Sequence, residues 1–182
     1  MIDEILAEGI TETIVTTLSP EGIPNAAPMG VVRRGDSLFI RMYPDTRTYR
    51  NAVATGQLVV NITTDPLVFV VAAFEDLNCS FLEPRAGMPP LIKEAWAWVL
   101  CTAEAEGTVR LKPVKSYVAR RTVPRYSRGF ASVIDAAITG TRLRFLGDRG
   151  KERIREDEAL VLKCGTPRDI EAMERLKAIL GL

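Results

Sequence analysis

The hydrophobic period changes once along this sequence, and that change restricts the fold more than any other feature. Up to about residue 123, short runs rich in β-branched residues alternate with turn signals; after Ser127, apolar residues recur at helical spacing. Glu12 to Leu18 predicts a strand, with Ser19-Pro20-Glu21-Gly22 as the turn behind it. Pro24 to Arg33 predicts a second, closed by Arg34-Gly35-Asp36. Pro28 has no N–H to give a ladder, so its strand must bulge or run along an edge there. From Ser37 to Tyr43, Leu38, Ile40 and Met42 alternate with Phe39, Arg41 and Tyr43, which suits a barrel wall covered on each side.

A helix is expected from about Thr46 to Thr55. Asp45 or Thr46 caps it, Tyr49, Ala52 and Val53 share one face, and Gly56 closes it. Leu58 to Thr63 returns to strand. Leu67 to Phe74 reads equally as a buried strand or a short helix, and Asn78 to Pro90 as loop. Glu94 to Val109 suits one long strand and Lys115 to Val123 another. In the last third, Ser127 caps a helix that Gly140 ends, and a second helix runs from about Lys151 to Leu162. The third starts at Thr166, with Pro167 at its first position and Asp169 three residues after the cap. Ile170, Met173, Leu176 and Leu180 form its buried stripe and Gly181 stops it. The fold class is α+β, a β-barrel core over residues 1–126 and a helical region over 127–182 packed on it as one unit.

Absences narrow the chemistry. With no histidine among 182 residues, a Ser-His-Asp triad and an H-E-x-x-H zinc site are impossible. Cys79, Cys101 and Cys164 are too few and too widely spaced for a disulfide framework or a zinc clip. Neither G-x-G-x-x-G nor a P-loop occurs. An enzyme of this composition therefore relies on a bound organic cofactor. No apolar run exceeds the eight residues Leu67 to Phe74, and acids stand where a secretory signal carries Lys or Arg. A cytoplasmic protein without a membrane segment is expected.

A net charge of +1 conceals an asymmetry. Residues 1–24 hold Asp3, Glu4, Glu8, Glu12 and Glu21 and no base. From Thr108 to Ile134 stand Arg110, Lys112, Lys115, Arg120, Arg121, Arg125 and Arg128, with no acid. A solvated or internally paired face is the first reading, and a phosphate or dimer-interface site the second. Nucleic acid is disfavoured by the near-zero overall charge and the few aromatics there.

Asp45 to Ile62 (DTRTYRNAVATGQLVVNI) is the most informative stretch. It puts Thr46, Arg47 and Thr48 where a helix opens, and free N–H groups and the helix dipole favour an anion there. Two hydroxyls and a guanidinium suit phosphate. The alternative is that Asp45 and Thr46 only cap the helix.

This segment resembles the strand–turn–helix–strand pattern of the FMN-binding split-barrel superfamily, which includes flavin reductases and pyridoxamine phosphate oxidases. Flavin reductase domains read similarly at Asn51, Thr55, Gly56, Val59, Val60 and Asn61. Asn25 to Val31 (NAAPMGV) resembles the strand along the isoalloxazine ring. With Glu12 to Thr17 (ETIVTT) and Arg125 to Leu143, the likeness is closer still to an uncharacterised, mainly archaeal family of that superfamily.

The resemblance implies a six-stranded, Greek-key-like split barrel that forms a homodimer, with one FMN per subunit in a groove between the chains. Thr46, Thr48 and Arg47 would hold the phosphate. Met29, Gly30 and Val31 would run beside the ring, with Gly30 allowing close backbone approach. Arg128 and Arg142 would reach phosphate or ribityl groups, from the partner chain in one arrangement; the alternative is surface pairing with Asp135 or Asp148. Asn61 is a further cofactor contact or else a strand residue satisfying local backbone. The implied function is a flavin reductase-like oxidoreductase moving electrons between a nicotinamide, or another small-molecule donor, and an acceptor. No dedicated acid or base is marked, and the substrate-phosphate residues of pyridoxamine oxidases have no match. The alternatives are a non-enzymatic FMN carrier or redox sensor, and a flavin-free dimeric interaction or nucleic-acid-binding module.

Overall fold

Strand alternation closes a barrel from the first two thirds of the chain. A computed structural model describes residues 2–78, 80–93, 95–106, 108–119 and 127–182. Cys79, Arg120, Arg121, Arg125 and Tyr126, and with them the end of the strand expected to Val123, lie outside the described residues. A single helical turn, α1 (Ile2–Ile5), precedes β1 (Gly9–Leu18) and β2 (Pro24–Arg34), which form a hairpin in unbroken register. The expected turn joins them, Ser19 Oγ accepting from the Glu21 and Ile23 amides. β3 (Ser37–Ile40) follows, then α2 (Arg47–Thr55), β4 (Gln57–Ile62) and α3 (Pro66–Phe74). β5 (Leu82–Arg85) and β6 (Met88–Ile92) make a separate hairpin, and β7 (Ala97–Glu106) with β8 (Thr108–Val118) completes the sheet.

The barrel is closed and antiparallel, in the order β1-β2-β3-β8-β7-β4. Val15, Val31, Ile40, Leu58, Val60 and Val99 fill its interior. β3 is short and pairs with β2 only from Val31 to Arg34 and with β8 only from Val109 to Leu111. Pro24–Gly30 of β2 and Lys112–Val118 of β8 are thus laddered on one side alone. Pro28 falls in the first of these, on an edge, where its missing N–H breaks no second ladder.

Several elements depart from expectation. Residues 82–92 are a hairpin rather than loop, and it lies over the outer face of β1 and β4 through buried polar pins: Thr16 Oγ1 donates to the Pro90 carbonyl, and the Ile92 amide donates to Asn61 Oδ1. A proline pair on a strand that is paired on one side escaped the turn rule. In place of the single strand expected from Glu94 to Val109 there are two, β7 ending at Glu106 and β8 starting at Thr108, and Glu94 itself lies outside the described residues. The outer face of β3 and its exit is not covered throughout, since Arg41 and Tyr43 are exposed.

The chain packs as two compact units, residues 1–63 with 77–121, and residues 64–76 with 122–182. The second contains α3 together with α4 (Arg128–Thr141), α5 (Leu143–Cys164, broken at Gly147) and α6 (Pro167–Leu180). The apolar run Leu67–Phe74 is helical because Asp65 caps it and Pro66 fits its first turn. Burial almost all round then overrides the strand propensity of its valines. A bidentate ion pair from Arg168 on α6 to Asp65 fixes the start of α3. Gly140 does not end α4: a Cβ there would meet Leu180 Cδ1 at 3.0 Å and Phe74 Cζ at 3.1 Å, so it serves close packing. α6 carries the full capping box from Thr166 and Asp169 and ends on left-handed Gly181. Among the described residues, no helix is long and apolar enough to cross a membrane.

Candidate functional site

Thr46 has the backbone of an N-cap, and its hydroxyl is spent locally. It accepts from the Tyr49 amide at 3.2 Å and donates to the Tyr43 carbonyl at 2.7 Å. Both roles belong to helix initiation, so this hydroxyl hydrogen is not available to an anion in this arrangement. Arg47 follows as the first helical residue, exposed and engaged in an interaction within the protein. Thr48 differs from both. It is 3% exposed, and its Oγ1 accepts a 3.0 Å hydrogen bond from Asn25 Nδ2 on β2. Ala52 is the other buried residue of α2, whereas Val53 points outward with 50% exposure. The buried stripe therefore pairs Thr48 with Ala52 at i and i+4, and the expected place of Val53 on it is corrected.

A second bridge lies beside the first. Asn51 Nδ2, one turn along α2, donates to Thr17 Oγ1 at 3.2 Å, and Thr17 is the register partner of Asn25 across the β1–β2 ladder. Thr17, Asn25, Thr48 and Asn51 thus form one polar cluster where α2 meets the barrel. Three of these residues, Thr17, Asn25 and Asn51, were missed as functional candidates. The available signals were an asparagine inside a strand, where asparagine is depleted, and the i, i+3 spacing of Thr48 and Asn51.

On β2, the expected ring strand, Met29 packs against the barrel core and its carbonyl accepts from Thr13 Oγ1 at 2.8 Å. Val31 is buried inside the barrel, so its side chain faces away from any outer ligand. Gly30 stands opposite Glu12, and a Cβ there would come within 2.9 Å of Ile10 Cγ2. Here the close approach that requires glycine is to a neighbouring strand's side chain.

Asn61 takes the second of its two expected roles. It is fully buried on β4; its Nδ2 donates to the Ile14 and Val59 carbonyls and to Thr16 Oγ1, while Oδ1 accepts from Ile92. An amide so employed pins the β5–β6 hairpin, with the Nδ2 hydrogens spent inside the protein. Arg128 and Arg142 belong to the helical unit, at the first turn and the C-cap of α4, and both are exposed. Neither pairs with Asp135 or Asp148 among the described residues, and Asp148 is taken by Lys151. Of the basic stretch, Lys112 is internally paired with Glu104, while Arg110 and Lys115 lie exposed on β8. Two barrel cavities, of about 460 and 380 Å3, are lined by other residues, the smaller by Leu18, Pro24, Leu82, Met88 and Pro90 among them. No cluster of metal ligands occurs among the described residues.

The sequence matches the family described as protein of unknown function DUF447, its N-terminal domain over residues 11–122 and its second part over 127–178. The chain belongs to the DUF447 family. A solved structure of an FMN-bound DUF447 protein from Methanosarcina mazei is 31% identical, covers 94% of this chain and 95% of its own, and superposes with a TM-score of 0.83. Outside DUF447, the barrel is similar to nitrilotriacetate monooxygenase component B from Mycobacterium thermoresistibile, at 22% identity over 65% of this chain and 73% of that one (TM-score 0.50). It is also similar to a candidate flavin reductase with a split barrel domain from Shewanella frigidimarina, at 16% identity over 60% and 67% (TM-score 0.50). These two likenesses concern the split-barrel fold, which the DUF447 chain shares.

Proposed function

We propose that this DUF447 chain binds FMN and acts as a flavin reductase-like oxidoreductase, as a homodimer. The observation that carries the reading is the FMN-bound family member from Methanosarcina mazei, 31% identical over 94% of this chain. The site's own chemistry agrees with it. The start of α2 offers helix-dipole charge, and beside it the buried Thr48 presents a hydroxyl hydrogen with no acceptor among the described residues. Thr48 and Arg47 would hold the phosphate, while Thr46 shapes the helix start. The backbone of Met29, Gly30 and Val31 would run beside the ring. Arg128 and Arg142, exposed and without an ion pair among the described residues, would add positive charge from the partner chain. Bound FMN supplies the electron-transfer chemistry; the chain binds and orients it.

The test begins with colour. Purified protein is expected to be yellow, and the supernatant after heating should contain FMN by chromatography. NADH and NADPH oxidation, followed photometrically, then decides whether the bound flavin turns over with a nicotinamide. A colourless protein that does not quench the fluorescence of added FMN would reject the reading. Tight FMN without turnover would leave a carrier or sensor in its place.

A further inference from the structure

The cluster at the start of α2 has a direction built into its hydrogen bonds. A threonine hydroxyl has one hydrogen to donate and two lone pairs to accept with. Thr48 and Thr17 each receive an N–H from an asparagine amide, Asn25 to Thr48 and Asn51 to Thr17. Neither threonine side chain donates to any described residue, although Thr17 is fully buried and Thr48 nearly so. A buried hydroxyl hydrogen without an acceptor is unfavourable. Each asparagine amide supplies only donors at the nitrogen it uses, so it turns the threonine hydrogen away from itself.

Resting on the FMN reading above, we infer that Asn25 is a positioning residue: by donating to Thr48 Oγ1 it keeps the Thr48 hydroxyl a hydrogen-bond donor, so that this end of the barrel prefers an acceptor-only group, a phosphate dianion. Asn25 does not touch the phosphate in this scheme. It fixes the polarity of the residue that does. A dianion accepts that hydrogen through a charge-assisted bond, whereas an alcohol in the same place gains only a neutral one.

The decisive variant is Asn25→Asp, titrated with FMN and with riboflavin, which lacks the phosphate. An ionised carboxylate can only accept, so it would capture the Thr48 hydrogen and reverse the bridge. FMN affinity is expected to fall about 10- to 100-fold while riboflavin changes little. Lowering the pH from 7.5 to about 4, into the ordinary aspartate range, should shrink the FMN gap between variant and parent, because a protonated carboxyl donates again. A merely structural role would not produce that recovery. If Asn25→Asp does not fold, Asn25→Ala removes the donor without adding charge and should give a smaller, still FMN-selective loss. Equal weakening of both flavins, or no weakening, overturns the inference while the FMN reading stands. A parent protein that takes up neither FMN nor inorganic phosphate overturns both.

Discussion

Thr46 and Thr48 stand two positions apart and are employed in opposite ways, which makes them separable by substitution. Thr46→Ala removes a cap and is expected to lower stability by about 0.5–2 kcal/mol. It should weaken FMN and riboflavin alike, through the helix both depend on. Thr48→Val keeps the shape but leaves the Asn25 amide unpaired, at a cost of about 1–3 kcal/mol, and should weaken FMN preferentially. Melting curves with both titrations check the pair; an FMN-selective loss at Thr46 would reverse the assignment. The cap was legible from the residue type and its place before a helical pattern. The burial of Thr48 was not, because periodicity alone favours Val53 for that face, and only the barrel decides which side of a short helix it touches. The cysteines give a second residue-scale contrast. Cys101 lies inside the barrel, where burial pushes its thiol up to about 12, while Cys164 is exposed at the end of α5. Since the thiolate is the reactive form, peptide-resolved alkylation of native protein at pH 8 should label Cys164 and spare Cys101 until denaturant is added.

Helices α4 and α5 meet around a carboxylate in an unfavourable place. Asp157 on α5 is half-buried, and desolvation, with Asp135 of α4 and Glu156 facing it, raises its pKa to about 6 despite the opposing charge of Arg153. The folded pKa exceeds the unfolded value near 3.9, so the native state holds the proton longer. Stability from this group is therefore full below pH 4 and lost as the pH rises through 6. Partial exposure screens the effect to about 1 kcal/mol. Asp157→Asn should match the parent at pH 4 and melt about 2–4 °C higher at pH 7.5, measured by thermal scans. A variant equally stabilised at both values would point to a cause other than ionisation. At this scale the sequence was most legible where side chains close an element by themselves. Ser127, Thr166 with Asp169, Gly56 and Gly181 sit at the expected ends. It was least legible where packing decides, as in α3, whose apolar run fits strand or helix, and in the β5–β6 hairpin, held by Thr16 and Asn61 from distant strands. Gly140 misled for the same reason: its missing side chain is needed for contact with Phe74 and Leu180, not for a turn.

For the molecule as a whole, the expectation is a homodimer. The shortness of β3 leaves Lys112–Val118 of β8 with one ladder instead of two, so backbone donors and acceptors remain on that edge. Val114 and Tyr117 on the same stretch are 62% and 55% exposed. An open edge carrying large apolar side chains is the kind of surface that proteins either blunt with charge or cover with another chain. Lys112 and Lys115 blunt it in part, since lysine on an edge opposes uncontrolled pairing while tolerating a specific one. A second copy is a partner that satisfies this economically, because one patch then serves both subunits across a two-fold axis. Light scattering on size exclusion at low micromolar concentration should report about 40 kDa, twice the 20.1 kDa chain. Val114→Glu places a carboxylate on the exposed face without disturbing the barrel interior, and is expected to shift the species to 20.1 kDa with an unchanged far-ultraviolet spectrum. If Arg128 and Arg142 act across the dimer, the monomeric variant should also lose FMN affinity while keeping its melting temperature within a few degrees. A Val114→Glu protein that stays dimeric would place the interface elsewhere. A monomeric parent with full FMN affinity would show that one chain builds the whole site, and the arginines would then have to act within it.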